Sequence, residues 1–202
     1  MRGGAYEDVS EIDGGKMMES KELRNIWYYF LDLEKELVDS SRYIEPEGQE
    51  NVYSFEFRKI IILACTEIET AFKALCETID NSKERGCMCN YKDIVLTRYP
   101  KIVNAEVYIN RWHKTVKPFA GWDIGKLKWW SAHQHIKHDR GSNFIEATYE
   151  NAAMALSALY ILIFYLYVSN GKNTPHGSEY IDSEYAPPNL VCAPSKKLPD
   201  FV

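Results

Sequence analysis

The run Ala152-Ala153-Met154-Ala155-Leu156-Ser157-Ala158-Leu159-Tyr160-Ile161-Leu162-Ile163-Phe164-Tyr165-Leu166-Tyr167-Val168 is apolar at every position except Ser157, and how it is read decides the fold. Its length falls just short of the roughly 18 to 20 residues that span a bilayer. It also carries three tyrosines, and no basic residue flanks its N-terminal side. Several alanines and the missing basic flank predict a helix buried on most faces at the centre of a bundle, not a membrane span. Asn143, with Glu146 three residues on, reads as the opening of this helix, and Gly171 as its close.

The segments around it supply helices to bury it. Over residues 20–43, Leu23, Ile26, Trp27, Phe30, Leu33, Leu37 and Val38 recur at steps of three and four, with Ser20 available as N-cap. Glu45-Pro46-Glu47-Gly48 ends that helix, because proline and glycine break helices for steric and entropic reasons. A second helix is predicted over 54–79. Its apolar set of Phe57, Ile60, Ile61, Ala64, Ile68, Ala71, Phe72 and Leu75 covers more than half the circumference, which places it deep in the core. Residues 80–90 read as a polar loop, 91–99 as a short helix stopped by Pro100, and 105–109 as a short strand or extended segment. After a turn at Lys117-Pro118 and Gly121, residues 124–138 have helical spacing and reach a natural stop at Gly141. Beyond residue 172 the chain is rich in Pro, Asn and Ser, a composition that either wraps a bundle or stays disordered. The predicted fold is all-α: an up-and-down helical bundle over 19–170 with an irregular insert, a flexible leader over 1–18 and an extended tail over 171–202.

Composition narrows the function classes. The 202 residues are 46% hydrophobic and 26% charged, ordinary globular usage that excludes disorder of the whole chain. A net charge of -5 excludes coating nucleic acid by bulk electrostatics and leaves only a local basic patch for gripping phosphate. Cysteines at 65, 76, 87, 89 and 192 show no Cys-x-x-Cys spacing, and their odd number suits reduced thiols and a cytoplasmic setting. The first sixteen residues are acidic without an apolar core, unlike a signal peptide. No cofactor and no membrane are expected.

The chemistry is concentrated in Trp129-Trp130-Ser131-Ala132-His133-Gln134-His135-Ile136-Lys137-His138-Asp139-Arg140, which holds three of the five histidines. At 3.6 residues per turn, Trp130, Gln134 and His138 share one stripe, Trp129, His133 and Ile136 a second, and Lys128, Ala132, His135 and Asp139 a third. The three histidines therefore diverge, and no metal is expected. Lys137, His138 and Arg140 sit in the last turn, where cations favour the helix dipole, and Asp139 can pair with His135. Trp129 and Trp130 suit a packed core as well as a stacking platform. In the most apolar helix, Glu69 falls on the stripe of Ile62, Cys65, Phe72 and Cys76, close to Glu67. A carboxylate in that setting needs a cation, so Glu69 is expected to face the Lys-His-Asp-Arg turn.

The run Asn51-Val52-Tyr53-Ser54 leading into Ile60 through Glu69 with Lys73, then Trp129-Trp130 with Lys137-His138-Asp139-Arg140, then the alanine-rich apolar helix, resembles bacterial and phage HEPN-like helical proteins. The resemblance covers about residues 20–170 and implies an up-and-down bundle, commonly dimeric. Its superfamily includes RNA-cleaving toxins, defence proteins and noncatalytic RNA- or nucleotide-binding members. HEPN ribonucleases have an arginine followed by four to six residues and then a histidine, and no arginine here has a histidine at that spacing. The resemblance thus implies a module that contacts RNA or nucleotide phosphate through Lys137, His138 and Arg140, with Trp129 or Trp130 stacking on a base. The alternatives are a noncatalytic interaction homodimer, with aromatic residues at its interface, and a metal-independent ribonuclease using His133 as proton donor.

Overall fold

In the computed structural model, which describes residues 17–80, 86–139, 141–172 and 191–192, the apolar run folds as helix α5, Tyr149–Ser169. The Thr148 hydroxyl caps it, accepting from the Asn151 N–H at 3.2 Å, and Gly171 closes it in the left-handed region at φ +61°. Residues 155–167 are buried without interruption. The helix is long and apolar enough to cross a membrane, but here it is surrounded by the protein's own elements.

The cap differs from the expected one at Asn143. Residues Phe144–Glu146 form a single 3-10 turn, and α5 starts only after it. The reason lies in the chain before helix α2, Phe55–Ile79. The Tyr149 N–H donates to the Val52 carbonyl at 2.9 Å, the Glu150 N–H to the Glu50 carbonyl at 3.0 Å, and the Ser54 N–H to the Ala147 carbonyl at 3.2 Å. Two first-turn donors of α5 that no intrahelical carbonyl can serve are thereby satisfied, and the starts of α2 and α5 are stitched together. Ser54 in turn caps α2, accepting from the Phe57 N–H at 3.1 Å.

Helix α1, Ser20–Ser40, opens on a reciprocal box between Glu19 and Glu22 and not on Ser20. It buries Leu23, Ile26, Trp27, Phe30, Leu33 and Leu37, with Phe30 packed on Tyr160 at 5.5 Å between ring centroids. The Met18 N–H at its start donates to Asn170 Oδ1 at the end of α5, at 2.6 Å. Glu36 near its end pairs with Lys59 near the start of α2 at 3.2 Å. Helix α1 is therefore antiparallel to both α2 and α5, which run side by side in the same direction. Strict up-and-down alternation is broken at that point.

The intervening chain makes the return crossing. Helix α3, Met88–Arg98, starts three residues earlier than expected because Cys87 takes the N-cap position. Pro100–Asn104 adds a 3-10 turn, and strand β1, Val107–Ile109, pairs antiparallel with β2, Lys114–Val116, across a turn holding His113 at φ +48°. The tail returns as β3, Val191–Cys192, on the other edge of β1; most of the expected tail and most of the expected leader lie outside the described residues. Helix α4 is Lys128–His138 and not 124–138, since the Ile124 and Gly125 N–H groups both turn back to the Gly121 carbonyl. An aromatic layer joins these pieces: Phe72 of α2 packs on Tyr91 of α3 at 5.5 Å and on Trp122 at 5.2 Å. The coarse expectation of a helical, all-α protein thus holds, with a small sheet inside the insert.

Candidate functional site

Helix α4 presents three different faces. Trp129, Ala132, His133 and Ile136 form the buried one. Trp129 is 1% exposed, donates its indole N–H to the Pro118 carbonyl at 2.8 Å and packs edge-on against Phe119. No face of its ring is left to stack on a base. His133 is 2% exposed beneath the Trp130 ring, 4.9 Å between centroids. Burial, then the charges of Lys137 and His138, lower its pKa from 6.5 to about 4, so the ring is neutral at physiological pH. A buried neutral imidazole is no proton donor to an outside phosphate.

A second face ties α4 to the start of α5. Lys128 Nζ lies 2.7 Å from Glu150 Oε2, and His135 Nδ1 lies 2.9 Å and 3.0 Å from the two Glu146 oxygens. The expected pairing of His135 with Asp139 is therefore replaced. Asp139 instead folds the helix end, its Oδ1 accepting from the N–H groups of Gly141 at 3.1 Å and Ser142 at 3.3 Å. Hydrogen bonds from Ser142 and Gly141 hold its carboxyl below the usual range.

The third face opens on a groove of about 370 Å³ between α3 and α4. Half-buried Trp130 and Gln134 line it from one side, with Lys92 and Cys89 of α3 opposite and Lys126 at the rim. Neither lysine forms an ion pair with a described residue. An aromatic face beside two such ammonium groups and an amide can hold a planar ring with an attached anion. His138 continues the Trp130–Gln134 stripe, one turn further on. It is exposed, as is Lys137 beside it. Arg140 lies outside the described residues.

The two glutamates of α2 part company. Glu69 and Lys137 both exert their charge on the buried Cys65 thiol, whose pKa is raised first by burial and then by Glu69, while Lys137 lowers it. The end of α4 therefore does lie near Glu69. Glu69 is half-exposed, however, so no unpaired buried charge demanded a partner, and no ion pair joins it to Lys137 or His138 among the described residues. Glu67 looks the other way, towards α1: its charge helps raise the Tyr29 pKa after burial, and burial raises its own. The deeply buried carboxylate is Glu34 of α1, which the spacing did not single out.

Lys92 and Cys89 escaped the sequence reading because only the α3–α4 packing brings them to this helix, whereas Lys126, four residues before Trp130 in the expected 124–138 segment, was not singled out. Cys87 and Cys89 form a disulfide, in contrast to the expected reduced thiols, whereas Cys65 and Cys76 are thiols buried in the core. No group of three or more His, Cys, Asp and Glu among the described residues is arranged to hold a metal ion. Comparison with protein-family models, with curated proteins and with solved structures finds no match.

Proposed function

We propose that this is a HEPN-like helical protein that binds single-stranded RNA or a nucleotide in the α3–α4 groove. The observation that carries this reading is half-buried Trp130 in a groove that Lys92 and Lys126 also line, with Gln134, whose Nε2 lies 3.3 Å from His133 Nδ1, presenting its amide oxygen for a base edge. Lys137 and His138 extend the basic track along the helix, towards the turn that first suggested phosphate binding. With a chain charge of -5, affinity rests on these few local contacts, and binding weakens with salt by the number of phosphates they neutralise. Titration of a labelled oligoribonucleotide against the protein and its variants tests this. Stacking is worth about 1–3 kcal/mol per base, so Trp130→Ala weakens binding roughly 5- to 150-fold. Lys92→Glu with Lys126→Glu abolishes binding at moderate salt while leaving the circular dichroism spectrum intact. Binding that is absent in the parent protein, or unchanged in both variants, overturns the proposal.

A homodimer is the second reading, favoured by an aromatic patch where α2 and α5 start. Phe55 is 78% exposed, Ile145 62% and Tyr53 49%, and Phe144 packs against both Phe55 and Tyr53 at 4.6 Å and 5.6 Å. Exposed aromatics clustered in this way are more typical of interfaces than of free surface. Sedimentation of the protein and of Phe55→Glu decides it: a dimer that dissociates in the variant supports the interface, and a monomeric parent overturns it.

A further inference from the structure

Of the cysteines whose surroundings the structure describes, two are exposed, and these two are bonded to each other. The bridge joins Cys87 to Cys89 across Met88 alone. A disulfide stabilises mainly by restricting the unfolded chain, and the effect is smallest for one that closes so short a loop. Helix α3 has its own packing, with Tyr91, Ile94 and Val95 buried and Tyr91 stacked on Phe72. The fold therefore does not depend on this bond.

The surroundings suit a bond that opens. Cys87 is the N-cap of α3, and the Asn90 N–H points at its sulfur at 3.4 Å. A thiolate at that position gains the helix-end amide as a donor, the setting that lowers a thiol's pKa and makes it a good leaving group. The Asn90 side-chain amide lies 2.9 Å from the same sulfur, where its oxygen can accept from a thiol or its nitrogen donate to a thiolate. Cys89 lines the open groove alongside Lys92, so an incoming thiolate reaches it from solvent. Cys65 and Cys76 have no such access.

We propose that Cys87 and Cys89 are a thiol–disulfide exchange site whose co-reactant is a small solvent thiol. A thiolate attacks Cys89 Sγ, forming a mixed disulfide and breaking the bond to Cys87, which leaves as a thiolate on the α3 amides. A second thiolate attacks the outer sulfur of the mixed disulfide and releases Cys89. Two thiols become one external disulfide, two electrons and two protons pass to the protein, and the reverse steps restore the bridge. This assignment does not depend on what the groove binds.

The test equilibrates the purified full-length chain in mixtures of reduced and oxidised glutathione, alkylates it, and reads the peptide holding Cys87 and Cys89 by mass spectrometry. The expected result is reversible conversion between the bridged and the doubly alkylated peptide, with Cys65 and Cys76 unmodified until denaturant is added. In single variants, Cys87 of Cys89→Ser alkylates faster at neutral pH than Cys89 of Cys87→Ser. A pair that stays bridged, or stays reduced, across the whole range overturns the proposal. So does a double variant, Cys87→Ser with Cys89→Ser, that loses the helical circular dichroism signal, because the bond is then a structural staple.

Discussion

Replacing His133 by Phe removes the one ring whose protonation the folded protein resists most. The buried imidazole takes up a proton only near pH 4, against 6.5 ordinarily, and its burial is the first cause. Between those values the unfolded chain binds more protons than the folded one, so stability falls as pH drops from about 7 towards 4. At pH 5 the interval below 6.5, at about 1.4 kcal/mol per pH unit, gives a loss of about 2 kcal/mol from this residue. Phe fills nearly the same space beside Trp130 and cannot be charged, so the variant lacks this loss. Urea denaturation at pH 7.5 and pH 5, followed by circular dichroism, measures it. With a slope of about 2 kcal/mol per molar urea, the parent's midpoint falls by about 1 M more than the variant's over that interval. Effects of exposed carboxylates are common to both chains and cancel. Parallel pH profiles for parent and variant would refute the claim that His133 is folded as a neutral, inaccessible ring.

Three further expectations follow from named contacts. Trp129→Ala empties a filled core site and removes the indole bond to Pro118, costing about 3–5 kcal/mol, and Trp129→Phe costs less; equilibrium denaturation ranks them. Thr148→Ala deprives the Asn151 N–H of its acceptor and lowers stability by about 1 kcal/mol, read as a lower Tm, while Thr148→Ser restores most of it. Glu67→Gln acts in the opposite direction. Burial raises the Glu67 pKa, so its ionised form weakens the fold at neutral pH; the variant is then more stable at pH 7, with the advantage vanishing below the carboxyl's unfolded value. Thermal melts at pH 7 and pH 3.5 check both halves of that statement.

The long elements were legible because each carries enough turns for its pattern to be unambiguous. The apolar stripe of α1 and the wide apolar face of α2 are buried as expected from Leu23 to Leu75, except that Val38 is only partly covered. What escaped was set by partners distant in sequence. Thr148 and not Asn143 caps α5 because the 50–54 segment supplies carbonyls there, a fact invisible in either stretch alone. The hairpin escaped because β1 and β2 are three residues each and turn at His113, a side chain in the left-handed region where glycine or asparagine would be the usual signal. The site was half legible. Helical phase separated Trp129 from Trp130, yet it put Ala132 with His135 although Ala132 is buried beside Trp129 and His133, it could not say which stripe meets the core, and Lys92 of the groove comes from another helix.

That separation bears on how the groove works. Trp129 and Trp130 are neighbours in sequence, but one turn angle of about 100° puts the first under Phe119 and the second at the groove. Trp129 is held by its bond to Pro118, and through it the start of α4 is fixed against the loop that also carries Trp122 and Lys126. Trp130 in turn rests on a neutral His133, 4.9 Å below. A charged ring there would favour the indole electrostatically, yet it would have to enter a site that resists charge. The half-buried Trp130 is therefore positioned by packing. It follows that the groove and the core face of α4 share one supporting layer, and conditions that protonate His133 loosen both together.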